Sequence, residues 1–203
     1  MRDIILFMGK TSTGKDFLVS KLKEKYNWHK AVSYSSRPVR PNEVDGVDYF
    51  FRSYDEISNM IDNQETYEHT SYKTNMGEWL YAFGIDSFVD DNVNMAIVNP
   101  EGLYQILETE LADRIVIVYV NVDDWTRVNR YNSRLGGIEN MSIQQKAEAY
   151  ERIIRDNNDF EKFDDWVMNV RDGIPILSIL NYNQGLDENL FDIFLFVNEV
   201  NND

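Results

Sequence analysis

The sequence predicts an α/β fold organised on a parallel sheet, and two observations carry that prediction. Short apolar, β-branched runs recur along the chain with amphipathic stretches between them. Parallel strands need such intervening segments, because each must be joined to the next by a crossover. The first apolar run also ends at a glycine-rich loop that opens directly into a helical pattern, the start of a βα unit.

Taken in order, Ile4 to Met8 reads as a buried strand that stops at Gly9. Phe17, Leu18, Leu22 and Tyr26 then recur at helical spacing, with lysines between them. A polar stretch punctuated by Pro38, Pro41 and Gly46 leads into a short strand at Tyr49 to Phe51. Ser53 and Glu56 have capping-box spacing, and Ile57, Met60 and Ile61 supply the apolar face of the helix they open. Residues 66–89, rich in aromatics and threonine, predict a β element. Asn94 to Asn99 is a second buried strand ending at Pro100, followed by a helix from Gly102 to Leu111. Ile115 to Val122 is the most strand-like run in the chain. Asp123 to Leu135 predicts a basic helix stopped by Gly136-Gly137, and Ser142 opens another that runs to about Phe160. Trp166 to Val170 is expected as the last core strand, residues 172–185 as an irregular connector, and Leu186 to Val200 as a terminal helix.

A chain of 203 residues that is 43% hydrophobic and 13% aromatic can bury one ordinary core, so global disorder is excluded. The 35 acidic against 20 basic residues leave a net charge of −15. Nucleic acid and anionic membrane are therefore not expected as partners, since both need a basic face. There is no cysteine, which excludes disulfide scaffolds and thiolate chemistry and fits a reducing cytoplasm. The opening residues do not make a signal peptide, and no apolar run is long enough for a membrane span. A monomer or homodimer is expected. The bases are unevenly spread: Arg2, Lys10, Lys15, Lys21, Lys23, Lys25, Lys30, Arg37 and Arg40 crowd the first forty residues, and Arg127, Arg130, Arg134, Lys146, Arg152 and Arg155 form a second group. Charged helix surfaces and local anion sites both produce such clusters.

Gly9-Lys10-Thr11-Ser12-Thr13-Gly14-Lys15-Asp16 fits G-x-x-x-x-G-K, the phosphate-binding loop. Glycines let successive N–H groups turn toward one anion, the following helix adds its positive end, and Lys15 adds a full charge. The position of the loop, after a buried strand and before a helix, favours phosphate binding over a chance polar turn. Asp16 stands where Ser or Thr usually holds Mg²⁺. Two roles are open to it: holding the metal, through a bound water, or stabilising the first helical turn.

Arg37 and Arg40, three apart in a proline-stiffened loop, make a fork suited to a second phosphate, with Glu43 placed to orient one of them. By itself that pattern also suits a solvated turn with surface ion pairs. The longer pattern formed by Ser33, Ser36, Arg37, Arg40, Glu43, Gly46, Tyr49 and Phe51 strongly resembles the guanylate kinases. Glu68 stands at the family's spacing beyond Tyr49, Arg130 and Arg134 match its lid helix, and Arg152 matches a later lid arginine. Asn169 resembles the family's asparagine after the last core strand, which touches the adenine side. The resemblance covers roughly residues 1–171.

What the resemblance implies is a parallel-sheet core with helices on both faces, a small inserted acceptor-binding subdomain and a helical lid. The expected division is core at 1–32, 94–126 and 164–203, acceptor subdomain at 33–93 and lid at 127–163. The implied reaction moves the ATP γ-phosphoryl group to GMP or dGMP, with Mg²⁺. By the same resemblance, Gly9 to Asp16 and Asn169 hold ATP, and Lys15, Arg130, Arg134 and Arg152 act on the transferring group. Arg37, Arg40, Tyr49 and Tyr81 hold the acceptor phosphate with Glu43 beside them. Ser33 and Glu68 read the base, and Asn99 offers it one carbonyl. One carboxylate can accept from both guanine N1–H and N2–H, whereas adenine would face it with a lone pair. The chain departs from the family at three places. Tyr81-Ala82-Phe83 replaces Tyr-Gly-[ST], Ile97 and Asn99 replace the aspartates of Asp-x-Asp, and the lid is longer. These changes suggest an altered base preference as one alternative. A catalytically silent binding module is the other.

Overall fold

The computed structural model describes residues 1–40, 43–74, 77–134, 136–169, 173–182 and 185–202. The side chains of Ile138, Gln145, Glu148, Asp164, Met168 and Asn169 lie outside the described set, as do Pro41, Leu135 and Val170 of the expectations above.

The main sheet runs in the order β2 (His29–Lys30), β7 (Asn94–Ile97), β1 (Ile4–Met8), β8 (Ile115–Asn121), β9 (Ile176–Leu180), and every pairing in it is parallel. β1 is central and wholly buried, as its unbroken apolar run requires. Its side chains alternate between two cores. Ile4, Leu6 and Met8 pack with Leu103 and Ile106 of α3 (Pro100–Leu107) and with Phe160 and Phe163 of α5 (Ile143–Asn169). Ile5 and Phe7 face Leu18 and Leu22 of α1 (Lys15–Tyr26) and Leu190, Ile193 and Val197 of α6 (Leu186–Asn202). The expected α/β class, with a parallel sheet between helical layers, is the observed one.

A second sheet, ordered β4 (Phe50–Phe51), β3 (Tyr34–Ser35), β6 (Gly77–Gly84), β5 (Thr66–Thr74), lies within residues 34–84. β5 and β6 form an antiparallel hairpin with a register shift between Thr66 and Glu68. Its small core is Ile57 of α2 (Tyr54–Asp62) against Leu80 and Ala82. The capping box that opens α2 is formed in full: Ser53 Oγ accepts from Glu56 N–H, and the Glu56 carboxylate accepts from Ser53 N–H. Gln105 of α3 brackets the β5 backbone, accepting from His69 N–H at 2.9 Å and donating to its carbonyl at 2.8 Å. This satisfies an outer strand edge and fixes the second sheet to the first.

The chain between the cores differs from expectation. Trp166 to Asn169, expected as strand, continues α5, which runs from Ile143 far past Phe160. Phe160 and Phe163 already lie on one helix face against Tyr119, and Trp166 stacks on Phe163 at 5.3 Å, so helical packing overrides the strand-like local composition. The last core strand is β9, inside the stretch expected to be irregular. α5 also crosses the boundary expected at residues 163 and 164. The preceding helix, α4 (Asp124–Arg134), matches its expectation closely. Among the described residues no helix is long and apolar enough to cross a membrane.

Candidate active site

The carboxyl ends of β1 and β7 open into a cleft of about 360 Å³ between the two sheets and α5. A smaller chamber of about 150 Å³ adjoins it and shares Thr11, Lys15, Ser33, Tyr49 and Arg152. The expected site residues converge here from distant parts of the chain. Gly9, Thr11 and Lys15 line the larger cleft with Ser33, Arg37, Arg40, Tyr49, Glu68, Tyr81 and Asn99. Ser12, Gly14, Asp16 and Arg134 line the smaller one. Lys10, Thr13, Glu43 and Arg130 support the site without lining either chamber.

The loop from Gly9 curls tightly before α1. Gly14 has φ +96°, and a Cβ there would collide with the Asn181 side-chain amide, so backbone freedom and space both require glycine. Lys15 folds back onto its own loop and donates to the carbonyls of Gly9 at 2.6 Å and Lys10 at 3.0 Å. Burial lowers its pKa to about 8, against the opposing fields of Asp16 and Asp156. It therefore remains mostly charged at neutral pH. Thr13 Oγ1 donates to Lys10 O, closing the turn.

On the side of the second sheet Arg37 is buried, and its fork grips Glu43 at 2.6 and 2.7 Å. Glu43 also accepts from Arg40 N–H at 2.9 Å, so one carboxylate orders both arginines. Burial would raise the Glu43 pKa, but Arg37 and Arg40 outweigh it and hold the group below the usual carboxylate range. The Arg37 guanidinium lies over the Tyr49 ring, and burial pushes the Tyr49 phenol up, keeping it a donor. Arg40 is exposed at the mouth.

Glu68, on β5 beside the register shift, is 6% exposed. Burial raises its pKa to about 7, with hydrogen bonds from Phe83 N–H and Thr70 pulling the other way. A Cβ on Gly102 would approach Glu68 Oε2 to 2.8 Å, so glycine there leaves the carboxyl its room. Asn99 lines the cleft, as expected of a residue offering a carbonyl there, but its side chain is also engaged within the protein. Its Oδ1 caps α3 by accepting from Gly102 N–H at 2.7 Å, and its Nδ2 donates to Tyr72 Oη at 2.7 Å. Phe83 is buried but lines both chambers and has no hydroxyl to offer; the hydroxyl bonded to Glu68 is that of Thr70.

The helical side divides its arginines between two roles. Arg127 is buried and bonded to Asp124 and Asn157. Arg130 reaches back to the carbonyls of Thr13 at 3.3 Å and Asn181 at 2.8 Å. Arg152 Nε donates to Thr11 Oγ1 at 3.1 Å, while Arg155 lies over the Tyr72 ring at 5.0 Å. Asp156 accepts from Thr11 N–H at 2.6 Å. Asn169 closes α5 and its side chain is outside the described residues. The asparagine that follows the last core strand is Asn181, whose buried amide donates to Thr13 O at 2.7 Å. Its sequence signal was the run Ile176 to Leu180 immediately before it. Thr70, Tyr72 and Asp156 carry no comparable local signal; each becomes visible only through its partner. Among the described residues no cluster of three acidic or histidine side chains suits a resident metal ion.

The family model described as guanylate kinase matches residues 1–171. A guanylate kinase of Streptococcus thermophilus (strain CNRZ 1066) is 26% identical over 176 residues, covering 85% of this chain and 80% of that protein. A guanylate kinase of Streptococcus pyogenes serotype M3 (strain ATCC BAA-595 / MGAS315) is 32% identical over 131 residues, 56% of this chain and 62% of that protein. The crystal structure of guanylate kinase from Anaplasma phagocytophilum superposes with a TM-score of 0.60 at 18% identity, covering 97% of this chain and 85% of that one, a likeness of fold. A G-x-x-x-x-G-K loop opening on a cleft and a family match over most of the sequence thus agree, and the chain belongs to the guanylate kinase family as a guanylate kinase-like phosphotransferase.

Proposed function

We propose that the chain transfers the γ-phosphoryl group of ATP to GMP or dGMP, in the cytoplasm. The observation that carries this reading is a single cleft lined both by Lys15 of the phosphate loop and by Arg37 and Glu68 of the second sheet. Two phosphates and a purine have complementary groups there. Phosphoryl transfer needs little covalent help from a protein; it needs the two phosphates held in line and their repulsion screened.

In this reading the backbone of Gly9 to Gly14 and the Lys15 ammonium hold the donor phosphates, with Lys15 leaving its two loop carbonyls to do so. Triphosphate charge pushes the Lys15 pKa back up and keeps the group a cation. Asn169, whose side chain lies outside the described residues, is expected on the adenine side, and Asn181, which follows β9 and donates to Thr13 O, is a second asparagine near the loop. Arg37 has Nε–H and one Nη2–H left after its bonds to Glu43 and Pro38 for the acceptor phosphate, and Arg40, Tyr49 and Tyr81 add donors. Arg134 and Arg152, which line the chambers, would offset the charge developing on the transferring group, and Arg130 would join them by leaving the carbonyls of Thr13 and Asn181. Mg²⁺ fits as an ion brought in with ATP, because Mg²⁺ is held mainly by phosphate oxygens, waters and one or two carboxylates. Asp16, which lines the smaller chamber, is the carboxylate that would hold it, through a bound water. When bound, the ion would supply positive charge against the donor phosphates.

Ionised Glu68 accepts from guanine N1–H and N2–H. A second reading, of broader base preference, rests on Asn99, whose carbonyl already accepts from Gly102 N–H and so has one lone pair, and no charge, to offer a base. A coupled assay of ADP release across GMP, dGMP, IMP, AMP, CMP and UMP tests both. Highest kcat/KM with GMP or dGMP is expected. Comparable turnover of another nucleotide establishes the broader reading, and no turnover with any acceptor overturns the enzyme.

A further inference from the structure

Thr11 presents a backbone N–H in a loop whose N–H groups suit an anion. In this structure that donor is occupied by a carboxylate from the same chain: Asp156 Oδ2 at 2.6 Å, from α5 and 145 residues away. Arg152, one turn earlier on the same face of α5, donates to the Thr11 hydroxyl at 3.1 Å. One helix thus grips one residue of the loop with both an acid and a base.

A carboxylate and a triphosphate cannot share this place. Two like charges held this close repel each other, and the site is too dry for water to screen them fully. The displaced carboxylate has somewhere to go. Arg127, 2% exposed, has an Nη1 without a hydrogen-bond partner among the described residues, and Asp156 Oδ2 already stands 3.6 Å from it. A buried guanidinium N–H left unbonded is costly, and a small movement of Asp156 would satisfy it. Asp156 Oδ2 thus faces both partners at once, bonded to Thr11 and within ion-pair reach of Arg127, and a donor phosphate would bias it toward Arg127.

We propose that Asp156 is a positioning residue that occupies the phosphate loop while the donor site is empty and is displaced onto Arg127 when a triphosphate enters. The inference rests on the phosphotransferase reading for the identity of the donor. Arg152 then passes from the Thr11 hydroxyl to the incoming phosphate, so donor binding and the placement of α5 are one event. Asp156 lowers affinity for the donor and leaves the acceptor untouched.

The test is calorimetric titration with ATP, inorganic tripolyphosphate, adenosine and GMP, each without a second substrate. Asp156→Asn keeps the shape and removes the charge; it is expected to bind ATP and tripolyphosphate about tenfold more tightly, with adenosine and GMP unchanged. KM for ATP falls by the same factor while KM for GMP holds. Asp156→Glu, which keeps the charge, stays within about twofold of the parent chain. Asp156→Ala repeats the gain and serves if the asparagine variant does not fold. Unchanged or weaker tripolyphosphate binding in the folded neutral variants overturns the proposal, as does an equal gain for adenosine or GMP. Tighter donor binding alongside no turnover of any acceptor would defeat the kinase reading and leave this one standing.

Discussion

At the scale of the residue, the site combines groups held in their usual charge state with one that is not. Glu68 is buried, and its pKa rises to about 7. The unfolded chain releases this proton near the ordinary glutamate value of 4.5, whereas the folded chain keeps it to about 7. Between those values the folded state binds more protons, so this group's contribution to stability falls as pH rises and is constant above about 7. Guanine recognition runs the other way, since only the ionised carboxylate accepts two N–H groups. KM for GMP is therefore expected to fall as pH climbs through about 7 and to level above it. Glu68→Gln should flatten that step and raise KM for GMP by about a hundredfold, through loss of charge-assisted hydrogen bonds. Steady-state kinetics from about pH 5.5 to about pH 8.5 measure both, and an undiminished step in the glutamine variant removes Glu68 from the role. Lys15, Arg37 and Glu68 were legible in the sequence because their neighbours along the chain set their context. Asn99 was only half legible. Its place beside the base pocket followed from its register, but its engagement as a helix cap depended on Gly102 and Tyr72 folding against it.

At the scale of the element, strands and caps with short-range signals were read well and long-range ones were not. Ile4 to Met8, Ile115 to Asn121 and the Ser53–Glu56 capping box declare themselves within a few residues. The two-residue strands β2, β3 and β4 exist through their partners and have too few residues for a pattern. Trp166 to Asn169 has strand-like composition, yet the aromatic face begun by Phe160 and Phe163 carries the helix through it. β7 shows how a buried polar residue can fix an element's start. Asn94 is fully buried; its Oδ1 accepts from Val89 N–H, and its Nδ2 donates to Val89 O and Asn92 O. Asn94→Ala removes those bonds and leaves buried backbone groups unpaired, so a loss of about 3 kcal/mol is expected in urea unfolding. A loss below about 0.5 kcal/mol would mean that water replaces the amide and the clamp is dispensable.

At the scale of the molecule, a chain of net charge −15 gathers part of its scarce positive charge in one place. Lys15, Arg37, Arg40, Arg134 and Arg152, drawn from the two basic clusters of the sequence, meet on one concave surface, where Asp16, Glu68, Asp156 and Asp159 stand among them. The clusters were visible in the sequence; their convergence was not, because it depends on how β1, the second sheet and α5 are arranged around the cleft. One further residue on that surface has a consequence of a different kind. Trp79 lines the cleft, whereas Trp28 stacks near Tyr26 and Phe194, Trp125 is exposed on α4, and Trp166 packs against Phe163 and Tyr104. The cleft wall therefore contains its own optical reporter. Titration with GMP is expected to change the indole emission, and Trp79→Phe to abolish the change while the chain still turns over substrate. A response that survives in Trp79→Phe would assign the signal to another tryptophan. The same light that reports unfolding of the core would, at this one indole, report the arrival of a nucleotide.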